Sequence, residues 1–572
     1  MNLFAEMRVL VIAALDKMIN AEELPAGIEF DNVAVEPPRD PLHGDMATNA
    51  AMVLAKPAGK KPREIADKLA ALLLQDPRIL AADVAGPGFL NLRLAPDVWQ
   101  DLVKTVLEQG ADFGRSSLGS GKRVNVEYVS ANPTGPLHVG HTRGAVFGDA
   151  LAGLLDYAGY EVTREYYVND GGAQVDVLAR SVYLRYLEAH GQEVAFEDGT
   201  YPGDYLIPVG QALKDKVGDA YIGKGEQFWL AELREYATDA MMALIRADLA
   251  QLGIKMDRFY SEKSLYGTGL IEASIEDLRD KGLIYEGYLD PPKGKKPEDW
   301  EPREQTLFKS TDHGDDVDRP VMKSDGSWTY FAPDIAYHYD KFIGREFSKV
   351  IDIWGADHQG HVSRMKTALG ALGINPDKLV IILAQLVTLK MNNQLLKVSK
   401  RSGDLITLPE LIDEVGPDAC RYFFMSRSPD SQMEFDLELA KRESSENPVY
   451  YIQYAHARIA SIIRLSTEAK IDHASGNVNL LSHPSEIDLI KKMIALPELI
   501  ESIAINLEPH HLAHYSQQLA TAFHWFYQQC RVMSNDPSDY ELTKARLKLV
   551  RSSGVVLGRC LALMGMEAPE QM

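Results

Sequence analysis

Two histidines three residues apart, His138 and His141, close the run Ala131-Asn132-Pro133-Thr134-Gly135-Pro136-Leu137-His138-Val139-Gly140-His141. The run stands between a strand-like segment, 124–129, and a pattern in which Val146, Phe147, Ala150, Leu151, Leu154, Leu155 and Ala158 recur at helical spacing before Gly159. The first turn of such a helix carries unpaired backbone amides, so it favours an anion, and a nucleoside triphosphate fits there. His138 and His141 add donors that follow phosphate charge as it develops, and Gly140 removes a Cβ that would block a purine ring.

A second charged segment lies far downstream. Lys397-Val398-Ser399-Lys400-Arg401 follows the last strand-like run and precedes Thr407-Leu408-Pro409-Glu410, a capping box with proline near the helix start. Lysines grouped with Ser399 and Gly403 form a cationic loop able to close over a triphosphate and stabilise departing pyrophosphate. Either motif alone is weak, since an exposed lysine loop or an ordinary strand–helix turn would look alike. In this order, with the loop after the last strand, the pair is specific.

The elements around these motifs set the expected architecture. Residues 1–110 read as a small α+β unit that ends in the strand Phe89-Leu90-Asn91-Leu92-Arg93-Leu94, and 111–121 as a Gly/Ser-rich linker. From 122 to 445 strands alternate with helices, at 124–129, 161–168, 350–354 and 379–387. That alternation predicts an α/β fold, a Rossmann-type doubly wound parallel sheet. About 180 residues separate its first two strands from its last two, and 185–325 is read as insertion. Residues 446–572 carry almost only helical periodicity, an all-α bundle.

Composition narrows the class. A chain of 572 residues, 45% hydrophobic and 25% charged, is expected to be a soluble multidomain enzyme. A net charge of −22 repels polyanions at long range, yet permits one folded RNA to bind through a local patch such as Lys56, Lys60, Lys61, Arg63 and Lys68. Cys420, Cys530 and Cys560 form no CxxC pair, so no structural zinc is expected. The apolar run 9–15 is short and flanked by charges, so neither a signal peptide nor a membrane span is expected, and the location read is cytoplasmic. His313 with Asp312, Asp315, Asp316 and Asp318 reads as a solvated loop, not a metal site.

His138-Val139-Gly140-His141 and Lys397-Val398-Ser399-Lys400 together resemble the two signature motifs of class I aminoacyl-tRNA synthetases. The second has Val398 and Arg401 where methionine and serine are the commoner wording. The segments 126–133, Tyr167-Val168-Asn169-Asp170-Gly171-Gly172 and Tyr454-Ala455-His456-Ala457-Arg458 resemble arginyl-tRNA synthetases in particular, over nearly the whole chain. The resemblance implies ATP and its Mg2+, L-arginine and tRNA(Arg) as substrates and partners, a monomer, and a two-step reaction through arginyl-adenylate. It also implies that activation waits for bound tRNA.

ATP would contact residues 131–141, Ser399 and Lys400. His138 and His141 would hold its phosphates, and Lys397 and Lys400 would neutralise the transition state. A guanidinium is permanently charged and planar with five donors, so its pocket needs carboxylates. The resemblance assigns Asp334 to it, with Tyr330 as a side wall. Glu127 and Asn132 hold the guanidinium or the α-amino end, and His358 with Gln359 lines the adenosine or amino-acid side. Blander readings exist, with Glu127 in a strand-end ion pair and Asp334 as a helix cap. Tyr451 and Tyr454 are expected near the anticodon loop, and the N-terminal unit near the tRNA elbow. A nucleotidyltransferase acting on a small metabolite, or a non-catalytic RNA-binding relative, would share the histidine motif without all of these partners.

Overall fold

The computed structural model describes residues 2–38, 40–289, 303–391, 394–395 and 406–572. They form two compact units, one of residues 119–443 with 508–510, and one of 1–118 with 444–507 and 511–572.

The first unit is built on five parallel strands: β1 (Arg123–Glu127), β2 (Glu161–Val168), β3 (Arg258–Ser261), β4 (Lys349–Gly355) and β5 (Leu379–Ala384). Their order across the sheet is β5-β4-β1-β2-β3. The chain moves outward from β1 on one side and resumes at β4 on the other. The crevice at the carboxyl ends of β1 and β4 is therefore the topological switch point, where open α/β sheets bind ligands.

β3 lies inside the span read as insertion. Its four residues, Arg-Phe-Tyr-Ser, are too few and too polar to announce a strand, and as an edge strand it needs cover on one side only. The rest of that span holds a helical cluster around Leu178, Tyr186, Leu206, Trp229 and Leu233, and a three-stranded antiparallel sheet, Ile284–Gly287, Gln305–Phe308 and Arg319–Met322. The expected strand 379–387 also divides, since Val387–Met391 pairs in a separate sheet with Met433–Asp436.

Helices cover both faces of the parallel sheet. Adjacent side chains on a strand point to opposite sides, and Tyr128 and Glu127 do so. Tyr128 packs on helix α1 (Val139–Tyr157), with its hydroxyl 3.3 Å from Asp149, while Glu127 meets helix α2 (Phe331–Tyr339) and the π-turn Asp340–Gly344 that continues it. α1 approaches closely because residue 148 is glycine. A Cβ there would lie 2.3 Å from Cγ of Tyr128. Gly148→Ala is therefore expected to destabilise the protein by about 1–3 kcal/mol through overpacking, read as a lower urea midpoint.

β1 ends at Glu127, not 129, because Val129 and Ser130 take φ of 71° and 38°. Two consecutive non-glycine residues in the left-handed region, one of them β-branched, store strain next to the switch point. The Ser130 hydroxyl holds the turn by donating to Glu127 Oε1 at 2.9 Å, and its oxygen accepts the Tyr167 amide at 3.0 Å.

The second unit joins both ends of the chain. A four-stranded antiparallel sheet (Val35–Glu36, Met46–Thr48, Phe89–Leu94, Ile79–Ala85) packs with helices that include Leu3–Asn20 and Pro62–Leu73. From 446 onward there are helices and short 3-10 turns only, among them Pro448–Glu468 and Tyr540–Met564. The two ends are tied by Asn2, which donates to Glu498 and Glu501 at 2.7 Å each, and by the ion pair of Asp45 with Lys491 at 2.6 Å. Among the described residues no helix is long and apolar enough to cross a membrane.

Candidate active site

The histidine motif starts α1, and the two rings build the helix cap themselves. His138 is the N-cap. Its Nδ1 accepts the Gly140 amide at 3.1 Å, and His141 Nδ1 accepts the His138 amide at 3.4 Å. The rings stack with centroids 3.8 Å apart. Since Nδ1 accepts in both, a neutral ring carries its proton on Nε2, the tautomer that donates to an anion at the helix start. Gly140 has a nearer reason than purine access, for a Cβ there would lie 2.9 Å from Cε1 of the His138 ring.

Three contacts from distant parts of the unit fix the loop 131–137. Asp248, buried in the helix Leu230–Gln251, accepts the Leu137 amide at 2.9 Å. The Tyr205 hydroxyl donates to the Thr134 carbonyl at 2.6 Å, and that of Tyr166 to the Ala131 carbonyl at 2.7 Å. Arg143 is buried and donates to three carbonyls, of Gln385, Ser428 and Ser431, which ties α1 to the segment beyond β5. None of these partners was marked by the sequence.

Lys397, Ser399 and Lys400 lie outside the described residues. The chain just beyond them is joined to the histidine turn. Val139 donates to the Ile406 carbonyl at 3.3 Å and Leu408 to the Leu137 carbonyl at 2.8 Å, with His138 and Thr407 as a bridge pair. The Thr407–Glu410 capping box forms as expected. Segments about 270 residues apart in sequence, 137–139 and 406–408, thus meet at one backbone junction.

At the switch point is a cavity of about 180 Å³. Ligand pockets for drug-sized molecules run to roughly 300–1,000 Å³, so this one suits something of amino-acid size and not a nucleotide. Its lining comes from the ends of three strands (Glu127, Val129 and Ser130; Tyr167 and Asn169; Ile353, Trp354 and Gly355), from α2 (Asp334, Tyr337 and His338), and from His358 and His361.

Of the residues expected to hold arginine, Glu127, Asp334 and His358 line it. Asn132 and Tyr330 do not: Asn132 donates to Gln174 at 2.8 Å, and Tyr330 stays 68% exposed, its ring 5.9 Å from that of His361. Asp334 does not cap α2, whose N-cap is Tyr330, but meets His361 Nε2 at 3.1 Å. Glu127 does form a strand-end ion pair while lining the cavity. Its Oε2 lies 2.6 Å from Lys341 Nζ and 2.9 Å from the Tyr337 hydroxyl, which is 2.5 Å from Glu165 Oε1.

Charge is distributed unevenly around the cavity. Burial raises the Glu127 carboxyl against the pull of Lys341. Burial also opposes ionisation of Asp352, yet Lys341 and His338 outweigh it and hold that carboxyl at about 2. A carboxylate that sequence reading missed lies near Asp334. Glu262, just after β3, accepts the Tyr266 hydroxyl at 3.1 Å. Burial and the facing carboxylates of Asp334 and Asp170 raise its pKa, with the Tyr266 hydroxyl and the Gly171 amide pulling the other way. Neither Asp334 nor Glu262 forms an ion pair with a lysine or arginine among the described residues.

In the second unit, Tyr451 and Tyr454 are half-buried. Their rings lie 4.8 and 5.9 Å from that of His524, and the Arg458 guanidinium lies 4.6 Å from the Tyr454 ring centroid. In the acidic loop at 312–318, Asp315 pairs with Arg319 at 2.8 Å and Asp318 accepts from the hydroxyls of Thr311 and Tyr285.

Three family models match the chain: the arginyl tRNA synthetase N terminal domain over residues 5–94, the class I (R) tRNA synthetase catalytic domain over 102–199, and the DALR anticodon binding domain over 452–572. Arginine–tRNA ligases of Roseobacter denitrificans and Ruegeria pomeroyi are 60% and 61% identical to it, with all of each chain covered. The chain belongs to the arginine–tRNA ligase family. It is a class I aminoacyl-tRNA synthetase, the class that uses ATP. The arginyl-tRNA synthetase of Thermus thermophilus, 20% identical, has the same fold, with a TM-score of 0.73 and coverage of 99% of this chain and 100% of that one.

Proposed function

We propose that this arginine–tRNA ligase holds L-arginine in the switch-point cavity and ATP at the start of α1, and joins the amino acid to tRNA(Arg) in two steps. The observation that carries this reading is the acidic lining of a small switch-point cavity, where Asp334 has Glu262 close enough to repel it and neither has a lysine or arginine partner among the described residues. A guanidinium is the side chain that such a pair of carboxylates fits, since it is always charged and presents donors in a fork.

In the first step the arginine carboxylate attacks the α-phosphorus of ATP in line, and pyrophosphate leaves. The protein's part is positioning and charge stabilisation, without a covalent nucleophile. His138 and His141 donate to phosphate oxygens from Nε2, while Lys397 and Lys400 neutralise charge on the departing pyrophosphate. Residues 131–137 and Ser399 complete the ATP contacts. Mg2+ accompanies the triphosphate. Among the described residues no three His, Cys, Asp or Glu side chains gather as its ligands, and no step is assigned to it.

Within the cavity, Asp334 takes the guanidinium and Glu127 the α-ammonium, with His358 on the adenosine side. In the second step the terminal adenosine of the tRNA attacks the adenylate through its 2′-hydroxyl, and activation waits for the tRNA to bind. Stacking on exposed rings is a usual way to hold unpaired bases. Tyr451 and Tyr454 serve the anticodon loop. A cavity of about 460 Å³ in the N-terminal region, lined by half-exposed Phe89 with Asn49 and Asn91, suits a second unpaired base. The enzyme acts as a cytoplasmic monomer.

The test is a charging assay of the purified protein with total tRNA and each amino acid in turn. Arginine is expected to be the one attached, and attachment of any other in its place overturns the reading.

A further inference from the structure

The face that α2 and its π-turn present to the sheet carries Asp334, Tyr337, His338 and Lys341, at the i, i+3, i+4, i+7 spacing usually given to apolar residues. Lys341 is completely buried, and its ammonium lies 2.6 Å from Glu127 Oε2 and 3.0 Å from Asp352 Oδ1. His338 adds a second cation. Its Nδ1 is 2.8 Å from the Asp334 carbonyl oxygen and its Nε2 2.8 Å from Asp352 Oδ2. Both neighbours are acceptors, so both ring nitrogens donate and the ring is an imidazolium. Lys341 and His338 thus face Glu127 and Asp352, the adjoining buried Glu165 is paired with Arg345 at 2.5 Å, and the three cations and three carboxylates close at zero net charge. Asp334, which lines the cavity, and Glu262 near it have no lysine or arginine partner among the described residues.

This asymmetry matters because arginine carries a cation at each end. Three equally bare carboxylates would attract the guanidinium and the α-ammonium alike, and the reversed pose would take the arginine carboxylate away from ATP. We propose that Lys341 is a positioning residue that fixes the direction in which arginine lies. By neutralising Glu127 it leaves the guanidinium to Asp334 and Glu262, and it leaves to the α-ammonium the acceptor capacity that Ser130 does not use on Glu127 Oε1. The inference rests on the reading that this cavity binds arginine.

The experiment compares full-length wild type, Lys341→Met, Lys341→Arg and Glu127→Gln for arginine and ATP KM in charging, and for competitive inhibition by N-butylguanidine. That inhibitor keeps the guanidinium and lacks the α-ammonium. Lys341→Met is expected to raise the arginine KM by about 30-fold or more, as loss of one partner of a buried charge pair does. The ATP KM is expected to stay within about twofold and the butylguanidine Ki to hold or fall, since an unneutralised Glu127 offers the guanidinium a second place, and Lys341→Arg to recover part of the loss. A Ki that rises in step with the arginine KM, or an arginine KM that does not move, overturns the proposal. Should Lys341→Met fail to fold, Glu127→Gln carries the same split, because it leaves Lys341 paired with Asp352. An equal rise in KM and Ki there also overturns it. Butylguanidine that does not compete with arginine on the wild type overturns the cavity reading itself, and the proposal with it.

Discussion

Replacing Asp334 by asparagine is expected to raise the arginine KM about 100-fold and to move the ATP KM by less than about twofold. Asparagine keeps the shape of the side chain and an acceptor for His361, which lies 3.1 Å from Asp334 Oδ2, so the change removes charge more than packing. Breaking a fully buried ion pair costs roughly 3–5 kcal/mol. The Asp334 side chain is 30% exposed, so solvent screening places the loss near the lower end, about 3 kcal/mol or a factor near 100. ATP is expected to be spared because the proposed phosphate site is the α1 cap, which Asp334 does not touch. Initial-rate charging at varied arginine and varied ATP separates the two constants, and equal increases in both would remove Asp334 from the guanidinium site.

The same residues show how far the sequence was legible. The strand–turn–helix around His138 could be read because its signals are local: apolar periodicity, a proline-rich lead-in and a glycine stop. β2 was read to its correct ends, Glu161 and Val168, for the same reason. What escaped depends on tertiary neighbours. Glu262 is one residue beyond β3, a four-residue strand with no pattern of its own, and it counts only because the fold brings it towards Asp334. Asp248 looks like any acidic residue on a long helix until its carboxylate is seen on the Leu137 amide.

One overlooked signal was within reach. A helix of mean apolar character that repeats Asp, Tyr, His and Lys on a single stripe contradicts the rule that the buried face is apolar, and such a contradiction marks a site. Glu127 teaches the complementary lesson. Its plain reading as an ion pair and its reading as a pocket wall are not rivals, since one carboxylate pairs with Lys341 and also lines the cavity.

The second large effect is expected at His138, where structure and chemistry can be separated by choice of substitute. The ring caps α1 through Nδ1 and, as proposed, addresses phosphate through Nε2, so a residue that caps equally well but ends short of the anion isolates the second role. Asparagine is among the best N-caps, whereas alanine forfeits about 1 kcal/mol there. His138→Asn should therefore melt within about a degree or two of wild type, while His138→Ala, in a chain of this length, falls by about 2–4 °C. Both should lose about 100- to 1,000-fold in the rate of adenylate formation, the usual effect of deleting one preorganised donor to a transition-state oxyanion. The pair matters more than either member. If activity followed stability, with asparagine retaining more than about a tenth of the wild-type rate, His138 would be a helix cap and nothing else. Loss of rate in a variant that melts normally instead makes Nε2 a participant in phosphoryl transfer.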